Sequence, residues 1–196
     1  MDFLFFLSGF VAEIVGTMAG FGSSTIFLPL ALLFFDFRTA LVLVAFFHIF
    51  GNFGRISFFR YGFDRKLLWS FGLPSIVFTL IGSLLVSYLP QALLKGILGA
   101  FLVTYAFVSL VENLRLKAVR KNVGIGGAIS GFLAGLVGTG GALRGAFLTA
   151  FDLKKDTYIA TAAAIALAVD LTRIPVYLSQ GFLEQPYYWY VPVVLI

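Results

Sequence analysis

Ionisable side chains placed inside long apolar runs are the residues of this sequence that could do chemistry. They are Glu13, Arg144, Asp170 and Arg173, with Arg55 and His48 nearer the middle or end of their run. If such runs cross a membrane, each central charge costs at least about 2.5–3.5 kcal/mol on insertion scales, so these residues normally face a bundle interior or a cavity. We therefore expect them to line a polar site.

Arg144 is the strongest candidate for binding a ligand. It lies three residues past Gly141, at the end of a Gly138-Thr139-Gly140-Gly141 break in an apolar run. A helix that restarts after this break points unsatisfied N–H groups and its positive dipole end at the gap. Gly140 and Gly141 let backbone approach a ligand closely, and a guanidinium fork suits a tetrahedral oxyanion or a carboxylate. The pattern predicts an anion site.

A second break of the same kind lies near the start of the chain. It reads Gly20-Phe21-Gly22-Ser23-Ser24-Thr25, and we count Gly22 with the candidate binding residues. Ser23, Ser24 and Thr25 occupy the place that Thr139 has in the other half. These hydroxyls could donate to the same anion. Ser and Thr are also good helix N-caps, and the sequence favours neither role over the other.

Asp170 and Arg173 are three residues apart, so they share one helix face. The simplest account is an intrahelical pair that lowers the insertion cost; in the functional alternative, Asp170 takes up a proton during a transport cycle. Glu13 or Asp170 could instead neutralise Arg144. Asn52 and Arg55 have the same three-residue spacing as Asp170 and Arg173. His48 lies four residues before Asn52 on the same helix face, where it is either a packing residue or a proton relay.

The sequence predicts neither a metal nor another cofactor. The chain has one His and no Cys, so it lacks the ligands of a metal or thiolate site. It has no P-loop for ATP, and no Ser/His/Asp set stands at convincing positions, which argues against an intramembrane enzyme.

The elements that position these residues are apolar helices. Of the 196 residues, 60% are hydrophobic and only 12% are charged, whereas soluble domains carry about 25% charged residues. This composition excludes a soluble enzyme, and the net charge of +5 is not a sign of nucleic-acid binding because the basic residues stand in short breaks between apolar runs. The runs are Phe3–Phe35, Thr39–Phe59, Leu67–Leu89, Ala92–Val111, Val123–Phe151, Thr157–Leu178 and Tyr187–Ile196.

These runs predict an all-α polytopic membrane protein, because a spanning helix needs about 20 residues and barrel strands would alternate apolar with polar residues. The two longest runs exceed one helix, and each contains a glycine break. Non-helical backbone inside a membrane is tolerated only where it is buried or lines a wet cavity. We expect the two breaks to face each other near the bilayer midplane. Gly127, Gly131 and Gly135 form a small-residue ladder that predicts close helix packing.

The chain contains an internal repeat. Asn52-Phe53-Gly54-Arg55-Ile56 matches Asp170-Leu171-Thr172-Arg173-Ile174, and each segment stands at the same distance from a Thr, Thr39 or Thr157. We predict a first repeat over residues 1–120 and a second over 121–196 that stops short of its last elements, so that either the natural protein is longer or the chain is truncated. Transporters commonly place their substrate at such a repeat interface.

The basic residues discriminate between two topologies. If each long run crosses once, the loops carry four basic residues on one side and seven on the other; if both runs are hairpins, the split is two against nine. Because positive loops favour the cytoplasm, the hairpin topology gives the clearer signal. It also makes the repeats inverted. We predict hairpins, with the first residue outside.

The sequence resembles the sulfite exporter TauE/SafE family of membrane permeases. The resemblance lies in two halves that each open with a glycine-rich run, and in Pro29 within Phe27-Leu28-Pro29-Leu30. The second half departs from the pattern, with Arg144 and Gly145 near where the family often has an apolar residue and Pro. The resemblance implies a multi-pass protein of the cell membrane that moves small sulfur-containing anions, such as sulfite or organosulfonates.

Together, the residues and the resemblance predict a secondary transporter in the lipid bilayer with a small anionic substrate. An anion channel would share the same cavity, and an intramembrane enzyme or a structural scaffold are weaker alternatives. Proton coupling and a homodimer stay open, and no nucleic-acid partner is expected.

Overall fold

The computed structural model describes residues 2–20, 22–59, 62–110 and 122–194, and this part of the chain is helical with no strand. The α-helices are α1 Asp2–Ala19, α2 Ser24–Ala31, α3 Phe37–Phe58, α4 Arg65–Leu67, α5 Leu73–Leu85, α6 Gln91–Leu110, α7 Val123–Val137, α8 Gly141–Thr149, α9 Lys155–Ser179 and α10 Tyr190–Val194. A π-helical turn joins α4 to α5, and a 3-10 turn follows, so Arg65–Tyr88 is one continuous helical segment.

Within the described residues, four helical segments are long and apolar enough to cross a membrane. They are Phe37–Phe58, Arg65–Tyr88, Gln91–Leu110 and Lys155–Ser179. On α6 only Leu94 and Leu98 are buried, so most of this helix presents apolar side chains outward, as a lipid-facing helix does. The prediction of an all-α polytopic membrane protein is confirmed.

The first long run folds back on itself. A side chain at Gly16, near the end of α1, would collide with the backbone of Ser23, so the two segments touch at the break. At the far end, the ring centroids of Phe5 and Phe35 lie 4.9 Å apart. Because residues progressively farther from the break still pair, α1 and α2 run antiparallel, and the chain returns to the end where it began.

The second long run reverses in the same way. Gly138 ends α7 with a left-handed backbone (φ 75°), a conformation that glycine adopts readily. The Ser130 hydroxyl donates to the Gly140 carbonyl across the turn, at 2.8 Å. Farther from the turn, Gly126 packs closely against the ring of Phe147. Both long runs are therefore helical hairpins.

The hairpins determine which charged loops share an end of the molecule. The Asp64 N–H donates to the Thr161 hydroxyl at 3.0 Å, which places the start of α4 beside the start of α9. At the opposite end, the Arg38 guanidinium donates to the Ser87 carbonyl at 3.2 Å. The described basic residues thus divide as the hairpin topology predicts. Arg60, Arg115, Lys117, Arg120, Lys121 and the predicted repeat boundary at 120/121 lie outside the described residues, and the inverted relation of the repeats stays a prediction.

The helices α5 and α7 approach each other closely because α7 carries its glycines on the contact face. Any side chain at Gly127, Gly131 or Gly135 would overlap with the backbone of the helical segment Arg65–Tyr88. Ser75 and Thr79 use this proximity, since their hydroxyls donate to the Gly127 and Gly131 carbonyls at 2.8 and 3.0 Å. The prediction of close packing through this ladder is confirmed.

The helix α3 has a buried, mainly apolar first half and a second half that carries polar residues. From Phe37 to Ala45 every residue except Arg38 is buried, and these side chains join the main apolar core with Phe5, Phe27 and Leu28. The following two turns instead carry His48, Asn52 and Arg55. These polar residues recur at helical spacing, so they face one side of α3, toward the glycine breaks.

Candidate anion site

The two glycine breaks meet in the folded chain. Gly22 has a left-handed backbone (φ 88°), and a Cβ atom built there would lie 3.1 Å from the Cα of Gly141. The hydroxyls of Thr25 and Thr139 are 3.1 Å apart and share a hydrogen bond. The breaks therefore face each other, as expected; their position at the bilayer midplane stays a prediction.

A small cavity lies where the breaks meet. Its volume is about 50 Å³, room for a small ion or several water molecules. Helix α1, the first break, α3, α8 and α9 all contribute to its wall. The polar residues on this wall are Thr17, Asn52, Arg55, Arg144 and Tyr158, and the backbones of Gly22 and Gly141 pack against each other there.

Arg144 stands on the first turn of α8 and reaches this cavity. The residue is 8% exposed, and its own N–H donates to the Gly140 carbonyl at 3.0 Å, which starts the helix. Its guanidinium makes no hydrogen bond or ion pair with any residue that the structure describes. Neither Glu13 nor Asp170 forms an ion pair with Arg144 in this conformation, because each carboxylate is bonded to a different arginine. That one of them offsets the charge of Arg144 stays a prediction.

Glu13 holds Arg55 at the cavity wall. The two side chains form an ion pair between α1 and α3, and both are largely buried. The Arg55 guanidinium also donates to the Asn52 side-chain oxygen at 2.8 Å and to the Thr17 hydroxyl at 2.5 Å. Arg55 is thus positioned by three partners, which leaves its charge balanced by Glu13 while Arg144 has no such balance.

Asp170 and Arg173 form the predicted intrahelical pair. One Asp170 oxygen accepts from two Arg173 nitrogens, at 2.7 and 2.9 Å, and Asp170 and Arg173 are only 1% and 2% exposed. Arg173 also donates to the Ala134 carbonyl at 2.9 Å and so ties α9 to the end of α7. The other Asp170 oxygen faces Asn52 at 3.4 Å and His48 at 3.3 Å, both on α3. The predicted repeat counterparts therefore contact each other.

His48 joins this cluster to the first break. The Ser24 N–H donates to its Nε2 at 3.2 Å, and Ser24 is the first residue of α2. His48 is 4% exposed and lines a second, smaller space of about 10 Å³. Gly140, Gly141 and Arg144 line the same space, so it adjoins the main cavity at Arg144.

The predicted hydroxyl groups of Ser23, Ser24 and Thr139 do not reach the wall of the main cavity, although Ser24 lines the smaller adjoining space. Ser23 occupies the N-cap position of α2, yet its side chain makes no capping bond, and within the described part of the chain its buried hydroxyl has no partner. Thr139 is fully buried and bonded to Thr25. The capping alternative is therefore not observed for Ser23, and both residues lie behind the glycines that form the wall.

Sequence reasoning missed Tyr158. Its hydroxyl donates to the Gly20 carbonyl at 2.9 Å, which connects α9 to the first break. The ring stands between the small cavity and a wider one of about 460 Å³ that Thr149, Asp152 and Lys155 line near the basic end. A tyrosine near the start of a span is typical of the interfacial belt, so its type and spacing carry no signal for this position.

Comparisons with known proteins agree with this architecture. A family model described as sulfite exporter TauE/SafE matches residues 5–196. A "probable membrane transporter protein" of Methanocaldococcus jannaschii is 27% identical over 157 residues, which cover 71% of this chain and 58% of that protein. The chain thus matches little more than half the length of this relative. No solved structure matches the chain.

Proposed function

Because the chain belongs to the sulfite exporter TauE/SafE family, we propose that it is a permease for small sulfur oxyanions, such as sulfite or an organosulfonate, and binds them at Arg144. The observation that carries this proposal is the buried guanidinium of Arg144, which faces a cavity without an ion-pair partner among the described residues. A buried charge is costly unless it is paired. An anionic substrate supplies the missing partner.

The shape of the cavity suits a small oxyanion. Gly22 and Gly141 bring backbone to its wall, and a side chain at Gly22 would press against the Gly141 backbone and reach the Arg144 guanidinium. Arginine offers a planar fork that matches two oxygens of a sulfonate or sulfite. Asn52 and Arg55 add further donors opposite α8. Gly140 and Ser24 support this wall from the adjoining space, while Ser23 and Thr139 act indirectly through the shape of the breaks.

An alternating-access permease accounts better for the fold than an open pore. The cavity adjoins the wider opening at the basic end, whereas the buried half of α3 and the aromatic core fill the opposite end. Basic loops favour the cytoplasm. We infer that this conformation exposes the site to the cytoplasm of the cell in whose plasma or inner membrane the protein lies.

The proposal is tested by replacing Arg144 and measuring binding and transport of methanesulfonate and sulfite. Arg144→Gln removes the charge and most of the fork, and hydrogen bonds to charged groups are worth about 1.5–3 kcal/mol, which corresponds to roughly tenfold to a hundredfold in affinity. Arg144→Lys keeps the charge but loses the fork, so we expect a smaller loss with the fold intact. Calorimetry on purified protein gives the affinity, and proteoliposomes give the flux.

Arg38→Gln is the matched control. Arg38 is also a partly buried arginine, but it packs over the Phe182 ring at the opposite end of the molecule. We expect this variant to bind and transport as the parent does. If Arg144→Gln transports at the parent rate and affinity, Arg144 is a structural cation and the assigned site is wrong. Flux that rises linearly with anion concentration, without saturation, would indicate a channel instead.

A further inference from the structure

We propose that His48 is the proton-binding site of this protein and that its protonation strengthens anion binding through the N–H of Ser24. The inference rests on the proposed function, since it names the group that would link protons to the anion at Arg144. It is carried by the partners of the two ring nitrogens, which come from different elements on either side of the first glycine break.

Those partners determine which nitrogen carries the proton. The Ser24 N–H can only donate, so the Nε2 atom that receives it, at 3.2 Å, must be unprotonated. The neutral ring then carries its hydrogen on Nδ1, which donates to the Asp170 oxygen at 3.3 Å. A further proton can therefore be added only at Nε2. Adding it replaces an acceptor with a donor and breaks the bond from Ser24.

Charged and polar groups face His48 from each helix that packs against it. From α9, the Asp170 carboxylate faces the imidazole, and Arg173 stands behind that carboxylate. From α8, Arg144 lines the same small space, and from α2 the ring meets the Ser24 N–H. On its own helix the nearest polar neighbour is Asn52, which also bonds Asp170. Among the described groups around the ring, Arg144 is the positive charge that has no carboxylate partner.

Protonation and anion binding consequently help each other. Asp170 faces both Arg173 and His48, so a protonated His48 leaves this cluster with one positive charge in excess beside Arg144, and an anion relieves the repulsion between them. The Ser24 N–H, released from Nε2, is one of the first donors of α2 and becomes available at the positive end of that helix. By linkage, whatever factor protonation adds to anion affinity, the anion adds to proton affinity.

The composition makes this group easy to isolate. Histidine is the side chain whose charge ordinarily changes between about pH 5 and pH 8. His48 is the only histidine in the chain, and there is no cysteine. A change in anion affinity across this range is therefore assigned by a single substitution, His48→Gln, because glutamine can still accept from Ser24 but does not titrate.

The experiment measures the affinity of the purified full chain for methanesulfonate, which stays a monovalent anion throughout this pH range. We expect the parent to bind at least about fivefold more tightly at pH 5 than at pH 8, the lower end of typical coupling between sites. His48→Gln should bind with the same affinity at both. Glu184→Gln, which removes an exposed carboxylate outside the cavity, should keep the parent's pH dependence.

A second measurement covers the case in which the variant does not fold. Methanesulfonate added to the parent in weakly buffered solution near neutral pH should cause proton uptake, visible as a rise in pH. Binding without proton uptake, or an equal pH dependence in His48→Gln, overturns the role of His48 but leaves the proposed function standing. If the parent binds no methanesulfonate or sulfite at any pH, the proposed function fails, and the role of His48 fails with it.

Discussion

Replacing Asp170 by Asn tests whether the charge cluster beside the cavity is a structural pair or a proton carrier. Asp170 is 1% exposed, and it accepts from Arg173 at 2.7 and 2.9 Å and faces His48 at 3.3 Å. The substitution leaves Arg173 buried with an unpaired charge. Removing one partner of a buried pair typically costs about 3–5 kcal/mol. We expect a loss of that size in the free energy of unfolding.

The double variant Asp170→Asn with Arg173→Gln separates the pair from its surroundings. With both charges gone, the penalty for an unpaired buried charge disappears, and what remains is mainly the lost bond from Arg173 to the Ala134 carbonyl, about 1 kcal/mol. The double variant should therefore be more stable than Asp170→Asn by about 2 kcal/mol or more, a coupling within the range seen for contacting residues.

Denaturant unfolding in mixed micelles measures these differences, with methanesulfonate binding as the functional readout. If Asp170→Asn unfolds at the parent's denaturant concentration, the carboxylate is already protonated in the folded state. The ion pair between Asp170 and Arg173 then contributes nothing to the free energy of unfolding. If the double variant loses the sum of the two single effects, the side chains act independently. Either result refutes the reasoning.

Three further predictions follow from the packing and topology. Gly131→Ala would place a methyl group against the α5 backbone and should destabilise the protein by about 1–3 kcal/mol. Gly96→Ala, at a position with open space around it, should stabilise the protein by about 0.5–1 kcal/mol through helix propensity. Thermal unfolding of both variants measures the difference. Tyr158→Phe loses the hydrogen bond to the first break, worth about 0.5–1.5 kcal/mol, so anion exchange in proteoliposomes should accelerate; an unchanged rate would show that this hydrogen bond does not control access to the cavity. The chain has no native cysteine, so single cysteines can be labelled selectively. Lys66→Cys should react with membrane-impermeant thiol reagents from the cytoplasm, and Arg38→Cys should react from outside. The reverse pattern would show that the predicted orientation in the membrane is wrong.

The charges near the cavity follow a simple arrangement among the described residues. Arg55 is balanced by Glu13, and Arg173 is balanced by Asp170. Arg144 has no carboxylate bonded to it, so the region keeps one excess positive charge when His48 is neutral. An anion of charge −1 restores neutrality at the low-dielectric site, and this is the electrostatic reason to place the substrate at Arg144 rather than at the other two arginines.

The sequence by itself was enough to predict the main features that depend on neighbours along the chain. Apolar runs of about spanning length predicted the helices, and the glycines within two of them predicted the breaks. The three-residue spacing of Asp170 and Arg173 predicted their pair, since helical geometry brings such residues together whatever surrounds them. The basic loops favoured the hairpin topology because it collects most of them at one end.

Contacts between elements were decided only by the tertiary structure. Nothing in the spacing indicates that Glu13 pairs with Arg55, that His48 meets Asp170, or that Arg144 has no carboxylate partner among the described residues. These contacts depend on which face each helix turns toward its neighbours. The close glycine contacts and the aromatic core determine that orientation, and the charged residues do not. Helical periodicity determines which residues share a helix face. The close packing of many side chains determines which residues of the neighbouring helices that face contacts.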